Sequence, residues 1–278
     1  MKLAFSTLAC PSWSWEQSIE AARSLGYDGI EWRLISGELV DASFSAETCH
    51  RINNAMAAAG LSTCALDTSI QLAVGPGGER DSRIAEARGM LVLAEALGTD
   101  LLRVFSGEFP ENTNEEQALP WIVTVLKAII PEAERRGVRL ALEVHTFDGR
   151  GKNVSGVSDS LLCRKIVDRL DTPSVGILWD VGNPLEEEET VEGTWDNVKG
   201  RLLYLHLKDM KPRPGSGWEY VATGEGKVPL GAIIRLLSDS GFQGWLSYEW
   251  EKKWHPELSE PEVALPQHIR YLKELLKQ

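Results

Sequence analysis

The stretch "RLALEVHTF", residues 139–147, carries a short apolar run into a glutamate and a histidine two residues apart, Glu143 and His145. Upstream lies "NEEQALPWIVTVLKAIIPEAERRG" (114–137), a helical apolar pattern that stops at Gly137, the residue type expected just past a helix C-terminus. A long amphipathic helix, a glycine turn and a short buried strand make up one turn of an alternating β/α chain. The same unit recurs outward in both directions.

Seven further apolar segments have strand length: "KLAFST" (2–7), "GIEWR" (29–33), "STCALDT" (62–68), "LLRVFS" (101–106), "SVGILWD" (174–180), "RLLYLHL" (201–207) and "GWLSYEW" (244–250). Between them lie helical patterns such as "SWEQSIEAARSLG", "SAETCHRINNAMAAAG" and "DSRIAEARGMLVLAEALG", again ending in glycine. Strict alternation implies a parallel sheet. Eight units in 278 residues match a single α/β domain of the (β/α)8 TIM-barrel class spanning residues 1–278, with its site at the C-terminal ends of the strands. An open doubly wound sheet would more often carry a GxGxxG loop after its first strand, where this chain has "LACPSWSW". No linker or low-complexity segment interrupts the pattern. The acidic run "LEEEET" (185–190) reads as a solvated loop entering a helix N-terminus.

A net charge of −12 argues against a nucleic-acid-binding face, and no apolar run approaches the roughly 18 residues needed to cross a membrane. Cys10, Cys49, Cys64 and Cys163 are scattered without CxxC spacing, as for buried reduced thiols in a cytoplasmic protein. The opening "MKLAFSTLACPSW" breaks at Ser6, Thr7 and Pro11, which reads as a first strand rather than an export signal.

The last four strands end in Glu143, Asp180, His206 and Glu249, spaced roughly one βα unit apart. A carboxylate within an apolar strand is costly unless compensated. Taken singly, the glutamates could be salt-bridged, Asp180 a helix cap and His206 a satisfied core histidine. Together they form an oxygen-rich set suited to one divalent metal ion, Mn²⁺ or Mg²⁺ first and Co²⁺ or Zn²⁺ as alternatives. Residues i and i+2 share a strand face, so His145, Lys208 and Glu251 form a second polar ring nearer the mouth, placed to bind substrate. Glu251 could instead pair with Lys252 or Lys253. Arg103, ending the fourth strand, is expected in the same mouth. Trp13, Trp15, Trp250 and Trp254 lie near strand ends or in their loops, where aromatic faces stack on sugar rings, while Lys152, Lys211 and Arg213 in loops keep a phosphorylated substrate open.

With "LALEVH", "LWDVGN", "YLHLKD", "TGEGKVP" and "LSYEWE" in this order, the chain resembles the sugar phosphate isomerase/epimerase superfamily, the xylose-isomerase-like TIM barrels. The resemblance implies metal ligation by Glu143, Asp180, His206 and Glu249, with Glu143 and Glu249 also acting as catalytic acid and base. Many members carry a histidine where this chain has Asn183, so a substrate contact there passes to a side chain that cannot shuttle protons near neutral pH. The "GEG" around Glu225 reads as a turn shaping the mouth.

The function expected is isomerisation or epimerisation of a sugar, ketose or related polyol, through proton abstraction beside a carbonyl and a metal-stabilised enediolate. The alternatives are an inosose- or dehydroshikimate-type dehydratase on the same metal site, and an inactive sugar-binding barrel. A DNA-repair endonuclease of the related barrels would want a histidine-rich multi-zinc centre and a basic groove, against five histidines and an acidic balance here. The partners expected are a small sugar or cyclitol substrate, with no nucleic acid and no membrane. Barrels of this type often pair as homo-oligomers.

Overall fold

In the computed structural model, which describes residues 1–145, 159–215 and 217–277, every strand expected from the sequence joins one closed parallel barrel. The strands are β1 (Lys2–Ser6), β2 (Gly29–Trp32), β3 (Ser62–Gln71), β4 (Leu101–Phe105), β5 (Arg139–Glu143), β6 (Val175–Asp180), β7 (Leu202–Leu207) and β8 (Trp245–Tyr248). Chain order is spatial order, and β1 closes the ring by pairing Ala4 with Gly29 of β2 and Lys2 with Trp245 of β8. Gly29 is required by this closeness: a Cβ there would run into the Ser62 carbonyl oxygen.

Around the barrel lie α1 (Trp15–Leu25), α2 (Ala46–Ala58), α3 (Gly78–Ala96), α4 (Glu115–Arg136), α5 (Asp159–Asp168), α6 (Val191–Val198), α7 (Leu230–Asp239) and α8 (Pro261–Leu275), with a single turn at Asn183–Glu186 after β6. Local chemistry sets their ends. Ser14 and Gln17 at α1, and Asn114 and Gln117 at α4, form reciprocal capping boxes. Gly26 and Gly137 end the same helices in the left-handed conformation, at φ 75° and 67°.

Inside the barrel, side chains stack in layers. Ala4, Ala65, Leu101, Ala141, Leu178, Tyr204 and Trp245 belong to one apolar cluster. Two residues on, and hence on the same strand faces, come Ser6, Asp67, Arg103, Glu143, Asp180, His206 and Ser247, all buried; Glu31, two past Gly29, completes the ring. Each strand thus delivers one polar residue to a level resting on an apolar floor.

Two small hairpins at the C-terminal rim had no signal in the strand pattern: Leu34–Ile35 with Glu38–Leu39, and Asp209–Pro212 with Trp218–Val221. The "GEG" segment that follows the second is a turn organised by one side chain. Asp209 accepts backbone hydrogen bonds from Met210, Gly224, Gly226 and Val228 at 2.8–3.2 Å. The acidic run has more than a solvated role. Glu187 accepts from the Asp159 N–H, and Glu189 from the N–H and hydroxyl of Ser160, so two of its carboxylates satisfy the first donors of α5.

The end of β8 is clamped from outside. His268 of α8 stacks on Tyr248, ring centroids 3.6 Å apart and planes 7° from parallel, and pairs through Nδ1 with Thr223 Oγ1 at 2.8 Å. Burial holds the His268 imidazole well below its ordinary value, so it is neutral in the folded chain.

Two outcomes are expected. Asp209→Ala strands four donors and should lower stability by about 2–4 kcal/mol in urea unfolding, with loss of order in the turn at 223–228; an unchanged midpoint would remove Asp209 as the organiser. Because unfolded His268 takes up its proton near pH 6.5 and the folded one does not, stability should fall as pH drops below that value, by at most about 1.4 kcal/mol per pH unit. His268→Phe keeps the ring stack and should flatten the slope between about pH 7 and about pH 5; parallel slopes would contradict this.

Candidate metal centre

Glu143 and Asp180 end β5 and β6, and His206 stands one residue before the end of β7. Glu249 lies one residue beyond β8 but keeps sheet register, its N–H donating to the Leu207 carbonyl at 2.9 Å. One ligand-type atom from each of the four lies within 4.8 Å of the others, and all four residues are buried. His206 Nδ1 is 3.2 Å from Glu249 Oε1 and 3.9 Å from both Glu143 Oε1 and Asp180 Oδ2, without forming a geometrically sound hydrogen bond.

Behind the imidazole, Nε2 lies 2.9 Å from Glu31 Oε1, and the other Glu31 oxygen accepts from Ser247 Oγ at 2.6 Å. Burial alone would lower the His206 imidazole, but Glu249 and Glu31 hold it well above its ordinary value; on giving up its Nδ1 proton, with Nε2 still donating to Glu31, it turns that lone pair to the three carboxylates. An unpartnered buried nitrogen facing three carboxylate groups is a donor set that fits a divalent cation.

Positive charge crowds the same space. Lys208, expected to face substrate, sends its ammonium into the set: 2.6 Å from Glu249 Oε2, 2.8 Å from Asp180 Oδ2 and 2.9 Å from Glu251 Oε1. Arg103 pairs with Glu143 at 3.0 Å and Asp67 at 3.4 Å. Burial raises the Glu143 carboxyl to about 8 despite Arg103 and His206. Burial acts on Glu249 in the same sense, but His206 and Lys208 on either side hold it well below the ordinary carboxylate value. The two glutamates are driven apart by which cations they touch.

A cavity of about 280 Å³ opens above, lined by Arg33, Ser69, Gln71, Arg103, Phe105, Glu143, His145, Glu249, Glu251 and Trp254, with Leu8 at its edge. His145 meets Phe105 edge-on, centroids 4.8 Å apart. Glu251 accepts from Tyr220 Oη at 2.7 Å and from Lys208, and does not pair with Lys252 or Lys253, whose ammonium groups reach the carbonyls of Pro256 and Leu258 and of Gly37. Trp13 is not among the lining residues: its indole N–H donates to Glu262 of α8 at 3.2 Å. Asn183 is also absent from the lining, and its side-chain amide donates to the Val144 carbonyl at 3.2 Å. Of the other tryptophans, Trp250 is buried with its N–H on the Ser259 carbonyl. Lys211 and Arg213 face Glu219 on the second hairpin, and Lys152 lies outside the described residues.

Glu31, Arg33 and Asp67 escaped the sequence reading. They carry the same signal as the expected ligands, charge inside an apolar strand, but in the first half of the barrel, and they are 0, 7 and 0% exposed.

Among known proteins, the chain is 26% identical over 154 residues to the 3-oxo-isoapionate decarboxylase of Pectobacterium atrosepticum, covering 55% of this chain and 50% of that one. It is 26% identical over 153 residues to the fructoselysine 3-epimerase of Escherichia coli O157:H7, covering 55% and 52%. The matched part thus spans about half the length of these relatives. In structure, the IolI protein with a bound zinc atom superposes with a TM-score of 0.79 at 19% identity, over 100% of this chain and 98% of that one. The sequence profile of the xylose isomerase-like TIM barrel family matches residues 19–275, nearly the whole of the barrel just described, and the chain belongs to that family.

Proposed function

We propose that this chain is a divalent-metal-dependent isomerase or epimerase of a sugar, ketose or related polyol, working by removal and return of a proton beside a carbonyl. One observation carries the proposal: of the four converging residues, Glu143 and Glu249 line the mouth cavity, whereas Asp180 and His206 do not. Two residues serve only to hold, and two both hold and face substrate.

Glu143, Asp180, His206 and Glu249 would hold the ion. When bound, a divalent ion polarises the substrate carbonyl and offsets the negative charge that grows on its oxygen. Glu249, kept ionised by His206 and Lys208, takes the carbon-bound proton. Glu143, whose carboxyl is raised, returns it. Arg103 and His145, both in the cavity lining, orient substrate oxygens, and Phe105 and Trp254 supply apolar faces for the ring or chain. The sugar-modifying relatives and the zinc-bound neighbour support a metal-assisted reaction on a carbohydrate. Four free buried cysteines accord with a cytoplasmic setting.

Two outcomes test this. Incubation in D₂O with a panel of free ketoses, ketose phosphates and inososes should exchange the α-proton of one substrate class, and Glu143→Gln and Glu249→Gln should each cut the exchange by roughly 10²–10⁴-fold; full activity in either variant would refute the assignment. Elimination of a hydroxyl during exchange would identify the dehydratase outcome on the same site. Because Nδ1 of His206 must shed its proton before it can bind a cation, and, against burial, Glu249 and Glu31 hold the imidazole well above its ordinary value, affinity for Mn²⁺ should climb with pH through the neutral range, with at least one proton released per ion. Calorimetry in two buffers of different ionisation enthalpy reads that proton directly, and a pH-independent affinity would contradict it.

A further inference from the structure

Arg33 follows β2 by one residue and reaches the same cavity. Its Nη2 donates to Ser69 Oγ at 2.6 Å, while Nη1 is buried with no hydrogen-bond partner. Among the described residues it forms no ion pair, unlike Arg103, which is answered by Glu143 and Asp67. Burial, with Arg103 nearby, draws the guanidinium down to about 10 against the pull of Asp67, Glu143 and Glu249, so it is charged at neutral pH. A buried cation with an unused donor and no carboxylate in direct contact is costly for the protein alone, and an anionic group arriving in the cavity lowers that cost.

We infer that the substrate of this site carries a carboxylate, and that Arg33, steadied by Ser69, is the residue that selects it. The inference rests on the proton-transfer reading above for the reaction, and adds the class of molecule on which it acts: a sugar acid or keto acid rather than a neutral sugar. A carboxylate fits better than a phosphate. One guanidinium free of direct ion pairs can meet one negative charge, whereas a phosphate monoester brings close to two into a cavity already lined by Glu143, Glu249 and Glu251. The planar N–H edge of arginine also matches the two oxygens of a carboxylate.

The test uses the Mn²⁺-loaded protein and calorimetric binding of matched probes: D-gluconate against D-sorbitol, and 5-keto-D-gluconate against D-fructose, with D-fructose 6-phosphate as the phosphate arm. At least one acid should bind roughly tenfold or more tightly than its neutral partner and more tightly than the phosphate. Arg33→Gln should abolish that preference while leaving Mn²⁺ stoichiometry and binding of the neutral partner intact, and Arg33→Lys should keep part of it. Equal binding of acid and neutral probes, binding of none of the acids, preference for the phosphate, or a preference that survives Arg33→Gln would each overturn the inference. Proton exchange followed on the same samples separates the two proposals: exchange on a neutral ketose without acid preference defeats the carboxylate and spares the proton transfer, whereas an Arg33-dependent acid preference without exchange does the reverse.

Discussion

Buried negative charge is the constraint on which this barrel turns. Glu31, Asp67, Glu143 and Asp180 at one level of the interior, and Glu249 just above it, are all less than 5% exposed, where an unanswered carboxylate would either cost several kcal/mol or take up a proton. His206, Lys208 and Arg103 answer some of that charge, each by touching two or more carboxylates. The ring can exist only because its members are held by eight strands of fixed register above an apolar floor, so that cations and anions meet without side-chain freedom to lose. The same positions, moved to a loop, would be solvated and would bind nothing in particular.

From that compensation follows a division of labour. Carboxylates on the β2–β3 side are spent internally: Glu31 orients His206, and Asp67 meets Arg103 and accepts from Tyr204 Oη at 3.3 Å. Those on the β5–β8 side converge on His206 Nδ1 and leave two glutamates in the cavity. Structure further out protects the arrangement. The His268–Tyr248 stack fixes the residue before Glu249, the amide of Asn183 holds the backbone after Glu143, and Asp209 draws the loop after β7 into a turn beside Lys208. Arg33 is the one cation of the cavity lining with a donor left over for a ligand and no carboxylate partner among the described residues.

Much of this was legible in the chain. Helix caps such as Ser14 with Gln17, glycine stops such as Gly137 and alternating short strands specify the barrel, because they are local rules that the closed sheet obeys. The convergence of Glu143, Asp180, His206 and Glu249 was legible for the same reason: a charged residue inside an apolar strand is an anomaly visible without coordinates. What the chain does not display is which way a long side chain bends once it has neighbours. Lys208 and Glu251 sit where the two-residue period puts them, yet Lys208 turns into the carboxylates instead of up to the mouth. Trp13 lies in the loop between β1 and α1 but is claimed by Glu262, from a helix nearly the whole chain away. The acidic run at 185–190 looks like solvated charge until the N-terminus of α5, contributed by another segment, is seen to need it.

One divalent cation held jointly by Glu143, Asp180, Nδ1 of His206 and Glu249 is what the proposed chemistry requires. Anomalous diffraction at the manganese edge from crystals grown with Mn²⁺ tests it most directly. A single peak within bonding distance of those four side chains, lost in crystals of Asp180→Ala, is the predicted result; density elsewhere, or none at saturating Mn²⁺, would contradict the account.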